Sequence, residues 1–352
     1  VLGALACSLL SLAPSPRDYF DIVSLAPDVY GVIRKEPGGL SLDSNVVFIV
    51  NQEDVVMVDA NIGPESATAT LAALKEITDK PVRYVINTHY HDDHIGGNAT
   101  VRTAFPGVDF IGAATIRENL QKYSLASRKE MIEGAPAMAK MLRDLMGEGK
   151  SLSGKAIADD EKTAYESDIR IAERYGREMP TVEIIPPTIE VTDRLILHRG
   201  DRIIEILNLG SGHTSSDLVV HLPKEKIAIV GDLVVWPAPL AGNPQSHIHE
   251  WGDTLDRVMA LKAETIVPGH GPVMHDDGYL KLLARFYRSA AEQATAAFKR
   301  GESVEDATKK ITLEEFEKAF CGDSEFRKTL FLYYGRVPSI QGAYREAKEK
   351  GV

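Results

Sequence analysis

The spacing of hydrophobic and polar residues changes several times along the chain. Apolar residues run together from Asn45 to Val50 and from Val55 to Val58, with polar Asn51-Gln52-Glu53-Asp54 between them. That pattern predicts a β-hairpin. An Ala/Leu-rich stretch over 66–78 predicts a helix, 82–88 (VRYVINT) a buried strand, and residues around 109–111 a short strand. Over 116–179 Lys, Glu, Ala and Met dominate, and Met138, Met141, Leu142, Leu145 and Met146 fall at helical spacing. This predicts a helical insertion, either packing its own apolar face or forming a lid or dimer element beside a substrate pocket. Met-rich surfaces suit both roles. Strand patterns return at 188–192, 194–198, 202–208, 217–222 and 227–235, followed by a helix at 253–262 and a short strand at 265–267. From 279 the chain reads as helical, with a first helix ending near Gly301. Ser303-x-x-Asp306 and Thr312-x-x-Glu315 read as capping boxes for two more helices. The strand-rich blocks at 20–115 and 181–270 have similar content, which predicts a two-sheet core with related halves.

Composition narrows the function. The chain has 352 residues, enough for one large domain or two ordinary ones, and either can bury a substantial core. Its net charge of −11 argues against a general binder of phosphate backbones, so no nucleic-acid partner is expected. Cys7 and Cys321 are the only cysteines, which excludes a disulfide scaffold and a thiolate-rich zinc site. Residues 1–13 (VLGALACSLLSLA) form a short apolar run followed by Pro14-Ser15-Pro16. They read as a signal-peptide remnant, which implies a periplasmic or secreted protein, with a lipoprotein site at Cys7 as the alternative. The run is too short for a membrane span.

The strongest chemical signal is at 88–97, Thr-His-Tyr-His-Asp-Asp-His-Ile-Gly-Gly. His89, His91, Asp93 and His94 make an H-x-H-x-D-H pattern directly after a strand. Neutral imidazole and carboxylate are the ligands that borderline cations such as zinc prefer. A loop at a strand end lets these side chains splay around two metals, with Gly96-Gly97 easing the turn. Three later residues fit the same chemistry. His213 lies in Gly-Ser-Gly-His-Thr-Ser just after a strand. Asp232 lies in Ile-Val-Gly-Asp-Leu, inside an apolar strand where a lone carboxylate is costly and a metal removes the cost. His270 lies in Val-Pro-Gly-His-Gly, again just after a short strand.

With these residues in place the chain resembles the metallo-β-lactamase superfamily over roughly residues 25–280. The resemblance implies an α+β fold, a four-layer αβ/βα sandwich with the metals at one edge between the sheets. It would make 20–280 the catalytic domain, 116–179 a helical insertion and 281–352 a helical C-terminal extension. It implies a first metal site at His89, His91 and His213, a second at Asp93, His94 and His270, and Asp232 as a bridge between them. One dedicated β-lactamase branch has Cys at the place of Asp232, and another lacks a ligand there. Asp232 instead resembles lactonases, hydroxyacylglutathione hydrolases and the broad cyclase-like hydrolase set. The flavo-diiron branch carries Glu where this chain has His91, so an iron redox role is disfavoured.

The implied cofactor is two zinc ions, with manganese or iron as alternatives. The implied activity is hydrolysis of a small carbonyl substrate (β-lactam, lactone, ester or thioester), with Asp93 orienting the hydroxide. A phosphodiesterase or nuclease, and a non-catalytic metal-binding module, remain as alternatives, and a homo-oligomer is left open. Around the ligands, Asp59 at the end of the 55–58 strand is a candidate partner for a ligand histidine. Trp236, His247 and His249 are candidates for lining the substrate pocket. Asp217 reads as a turn residue.

Overall fold

The computed structural model describes residues 20–36, 38–242 and 244–351. The signal-peptide segment 1–13 and Cys7 lie outside the described residues.

Two sheets carry the fold. The first has seven strands in sequential order: β1 (Phe20–Ala26), β2 (Val29–Arg34), β3 (Val46–Val50), β4 (Val55–Val58), β5 (Val82–Ile86), β6 (Asp109–Ala113) and β7 (Ile189–Val191). β1 to β4 pair antiparallel, while β4 to β7 pair parallel. The expected hairpin is β3–β4, with Val50 opposite Val55. The second sheet orders β12 (Thr265–His270), β11 (Ile227–Val235), β10 (Val219–Leu222), β9 (Arg202–Leu207) and β8 (Arg194–Arg199), with only β11 and β12 parallel.

The layering follows from strand periodicity. On β3, Val46, Phe48 and Val50 face one apolar cluster, and Val47 and Ile49 face another. Successive side chains point to opposite faces of a strand, and a strand with both faces apolar must be covered on both sides. One cover is α1 (Pro64–Ile77) with α3 (Asn98–Ala104), through Leu71, Leu74 and Val101. The other is the second sheet, through Ile204, Ile206, Val220 and Ile229. β11 repeats the logic: Ile227 and Ile229 look into the sheet–sheet core, and Ala228 and Val230 look outward. That outer face is covered by α7 (Ile248–Ala260) and α8 (Gly278–Lys299), where Trp251 stacks on Tyr287 at 3.9 Å. Helix, sheet, sheet, helix is the expected sandwich.

Between β6 and β7 the chain leaves the sheet as α4 (Ile116–Asn119), a wide turn at 120–124, α5 (Leu125–Gly147) and α6 (Asp159–Glu178). The tail adds α9 (Val304–Lys310), α10 (Glu314–Cys321), α11 (Glu325–Leu330) and α12 (Val337–Lys350). Insertion and tail share one apolar cluster with the outer face of the second sheet. Tyr165 of α6 meets Phe326 of α11 edge to face at 6.0 Å.

Several local expectations change. β5 ends at Ile86 because Asn87 and Thr88 turn away to serve the site. α7 begins at Ile248, five residues early, with Glu346 of α12 accepting from the Ile248 and His249 amides. Ser303 caps α9 by accepting from the Asp306 amide, as expected. The Thr312 box does not form. Leu313 takes the cap position in a left-handed conformation with no side-chain cap. Ser324 caps α11 by accepting from the Arg327 amide, a cap the sequence reading passed over.

Candidate metal centre

The first four ligand positions follow β5, but not on the expected plain loop. His89 and His91 lie on an extended turn, and Asp93 and His94 lie on a one-turn helix, α2 (Asp92–Ile95). Gly96 and Gly97 are required for space rather than for conformational freedom. Both have ordinary helical φ. A Cβ would stand 2.1 Å from the Ile62 carbonyl at Gly96, and 1.9 Å from the Ala60 carbonyl at Gly97. His270 is the last residue of β12, not a residue after it, and Asp232 lies at an irregularity in the β11–β12 pairing. There Gly231 has φ +52°, and a Cβ would strike Thr88, so this corner of the site demands glycine.

All seven residues converge. One group is His89, His91, His213 and Asp232; the other is Asp93, His94, Asp232 and His270, with donor atoms in each within 4.8 Å of one another. His91 Nδ1 stands 3.0 Å from both His89 Nε2 and His213 Nε2. In the second group His270 Nε2 is 3.0 Å and His94 Nε2 3.3 Å from Asp93 Oδ2. Asp232 reaches both groups. Its Oδ2 lies 3.4 Å from His213 Nε2, and its Oδ1 lies 3.3 Å from His94 Nε2 and 3.4 Å from His270 Nε2. Oδ1 is buried and makes no well-formed hydrogen bond among the described residues. Gly269 makes room for it, since a Cβ there would sit 1.9 Å away.

The outward nitrogens are occupied. His94 Nδ1 donates to Asp59 Oδ2 at 2.8 Å, His213 Nδ1 to the Leu240 carbonyl at 3.0 Å, and His270 Nδ1 to the Asp43 carbonyl at 3.2 Å. His89 Nδ1 faces the Thr88 hydroxyl at 3.2 Å, and that hydroxyl donates to Asp59. Outward N–H donation turns Nε2 of these four rings inward, which is the orientation a metal ligand needs. Five inward imidazole nitrogens and two carboxylates, one of them shared, are a donor set that fits two divalent cations.

The electrostatics differ between the groups. Burial, then the neighbouring imidazoles His94 and His91, hold His89 well below its ordinary value. Burial takes His213 down to about 4. In the second group burial also pulls downward, but Asp93, Asp59 and Asp232 more than reverse it at His94, and Asp232 and Asp93 carry His270 up to about 9. Burial pushes Asp93 upward, yet His94 and His270 hold it well below the carboxylate range.

The remaining candidates fall in different places. Asp59 is buried and braces both Thr88 and His94. Asp217 accepts from the Thr214 amide and hydroxyl and shapes the His213 turn; burial pushes it up to about 7. Trp236, His247 and His249 do not line the large cavity over the metal ligands. Trp236 lies under the Arg327 guanidinium at 5.0 Å. His247 precedes α7, tied through its amide to the Gly212 carbonyl. His249 is held between Glu346 and Thr295, so its ring serves the tail.

Sequence reasoning missed Thr88, Asp92 and Tyr90. Asp92 is buried between the insertion and the metal turn, where it accepts from Ser124 at 2.8 Å and Tyr175 at 2.7 Å. Tyr90 is buried with its hydroxyl unpartnered among the described residues. All three sit inside or beside the H-x-H-x-D-H run, so proximity was the available signal.

Residues 41–270 match the family model described as the metallo-beta-lactamase superfamily. A linear primary-alkylsulfatase of a Pseudomonas strain is 20% identical over 74% of this chain and 48% of its own length. A hydroxyacylglutathione hydrolase of Vibrio cholerae is 29% identical over 33% of this chain and 48% of its own length. The chain thus spans about half the length of these curated relatives. A metallo-beta-lactamase from Pontibacter korlensis superposes with TM-score 0.52 at 19% identity, covering 76% of this chain and 99% of that one. The mono-zinc form of the metallo-beta-lactamase FIM-1 from Pseudomonas aeruginosa gives 0.51 at 19% identity, over 77% of this chain and 96% of that one. At that identity the likeness shows the fold. The matched family model covers β3 to β12 and all seven converging donors, and the chain belongs to the metallo-β-lactamase superfamily.

Proposed function

We propose that this protein is a metal-dependent hydrolase acting on a small carbonyl compound: a lactone, an ester, a thioester or a β-lactam. The observation that carries the reading is the pair of donor groups sharing Asp232 at the floor of a cavity of about 590 Å³. Two divalent cations, zinc by donor type, would supply a nucleophilic hydroxide near neutral pH and Lewis acidity towards a carbonyl oxygen. His89, His91 and His213 would hold one, His94, His270 and Asp93 the other, and Asp232 would serve both. Asp93 reaches the cavity, so its carboxylate also accepts a hydrogen bond from the attacking water and orients it. Asp59 holds His94, and through Thr88 it holds His89, which fixes the ring planes before substrate arrives. Export to the periplasm or medium belongs to this reading, supported by the apolar run at 1–13; cell fractionation tests it.

The test has two arms. Elemental analysis of metal-loaded protein should find two ions per chain. A pH-stat assay, with and without chelator, should then be run on a β-lactam, a lactone, an ester, a thioester, a sulfate ester and a phosphodiester. Chelator-sensitive acid release from a carbonyl substrate is the expected result. Release only from the sulfate ester or phosphodiester would overturn the carbonyl assignment, and protein that binds no metal would overturn the hydrolase reading itself.

A further inference from the structure

The cavity above the metal donors is built asymmetrically. Its floor is His91, Asp93, His213 and Asp232. Its walls are Met131 and Met138 of α5, Ile171 and Ala172 of α6, and Leu40 and Leu240 from the loops opposite. Several polar groups on the wall are committed elsewhere, while the Tyr90 hydroxyl, beside the floor, has no partner among the described residues. The Tyr175 and Ser124 hydroxyls donate to Asp92, Ser127 donates to the Tyr123 carbonyl, and Tyr334 donates to the Leu40 carbonyl. These tyrosines therefore offer the cavity ring surface rather than hydrogen bonds. Among the described residues no Lys or Arg lines the cavity. Arg128, beside the floor turn, donates through Nη2 to the Met179 and Val182 carbonyls, and its Nη1 faces Asp92 Oδ2 at 3.9 Å. A negatively charged group carried away from the reacting carbon would find no cation lining this wall, since the guanidinium beside it, Arg128, already faces Asp92. An apolar chain would find continuous contact. The volume lies within the range of pockets that enclose a drug-sized ligand.

From this we infer that the substrate is a neutral ester or lactone with an apolar acyl chain laid along the insertion helices, and that Met131 and Ala172 help set chain-length preference. The inference rests on the hydrolase reading for the reacting group and on the cavity alone for the chain. It disfavours substrates whose body carries distal carboxylates or phosphates.

The experiment compares kcat/KM of the zinc-loaded full chain on p-nitrophenyl acetate, hexanoate and decanoate, and on a hexanoyl-length ester ending in a carboxylate. Hexanoate should exceed acetate by at least about tenfold, because each buried methylene adds favourable transfer energy. The carboxylate-ended ester should lose that gain. Ala172→Glu should erase the hexanoate advantage through KM. Met131→Glu should narrow it about threefold or more, and with Met131 50% exposed the fold should tolerate the change. A flat series, or a preference for the carboxylate-ended ester, would overturn the inference. Binding of the neutral fluorophore N-phenylnaphthylamine, and its displacement by hexanol, separates the two claims. If no ester is cleaved yet hexanol displaces the probe less well from Met131→Glu than from the parent, the chain inference stands and the ester reading falls. If the probe does not bind, the chain inference falls whatever the activity.

Discussion

The floor and the wall of the cavity are built on opposite principles. The floor hangs from strand ends and one-turn elements, and its polar atoms are fixed by buried partners such as Asp59, Asp43 and Leu240. The wall comes from two long helices whose inward residues are Met, Ala and Ile, with Met131 half exposed. Rigid polar placement suits a set of donors that must meet at shared points. Soft apolar surface suits a ligand recognised by contact area. Asp92 joins the two: it lies in the metal turn, and its oxygens accept from the insertion. The simple picture of a removable lid over an independent site therefore does not hold. Deleting 124–178 would leave a buried carboxylate without its donors, one residue from Asp93.

The sharpest way to break the contrast is at the floor. Asp232→Ala should drop bound metal from two ions to one or fewer, read by elemental analysis of dialysed protein. Two ions held at parent affinity would remove Asp232 from its shared role. Asp59→Asn should weaken metal binding about 10–100-fold by chelator competition while leaving the fold intact; unchanged affinity would make Asp59 a turn residue only. Next comes the joint. Asp92→Ala should cost about 1–3 kcal/mol in urea unfolding, because Ser124 and Tyr175 lose a buried acceptor. If the loss is confined to substrate preference with stability unchanged, floor and wall are independent after all.

A smaller effect concerns Asp168 on α6, which accepts from the Leu40 and Ser41 amides and pins the loop opposite the insertion. Burial pushes this carboxyl up to about 6. The folded protein then holds a proton that the unfolded chain releases near the ordinary carboxylate value. Stability attributable to Asp168 should fall as pH rises from that value to about 6, and level off above. Thermal melts of Asp168→Asn should lack that slope, and equal slopes in both proteins would refute the shift. The smallest effect is Ser303→Ala, expected to cost about 1 kcal/mol through loss of the α9 cap.

The floor was legible in the sequence residue by residue, while the wall was legible only as a helical insertion with a Met-rich face. His89, His91, Asp93 and His94 announce themselves because few other arrangements explain so many imidazoles in one run, and His213, Asp232 and His270 each follow or interrupt an apolar strand. Strands were legible wherever both faces were apolar, as in β3, β4 and β11. The β1–β2 hairpin carries a half-exposed first strand, and no pattern singled it out. The rings of His247 and His249 looked like pocket residues because both follow Asp232 in sequence. The chain instead turns there into α7, and Glu346, a distant residue, decides where His249 points. Thr88 and Asp92 gain their roles only from tertiary partners, which a linear reading does not contain.

The connection between β6 and β7 has a further consequence. These two strands are parallel neighbours, so whatever links them leaves and rejoins the sheet at fixed places. The helical side of the wall is therefore a cassette. Descendants of this chain can exchange it for another and acquire a new substrate without touching the catalytic floor. The lineage is nonetheless restricted, since an incoming cassette must bring hydroxyl donors to Asp92 or be accompanied by its replacement. Substitutions at position 92 should thus co-vary with the origin of the segment between the two strands.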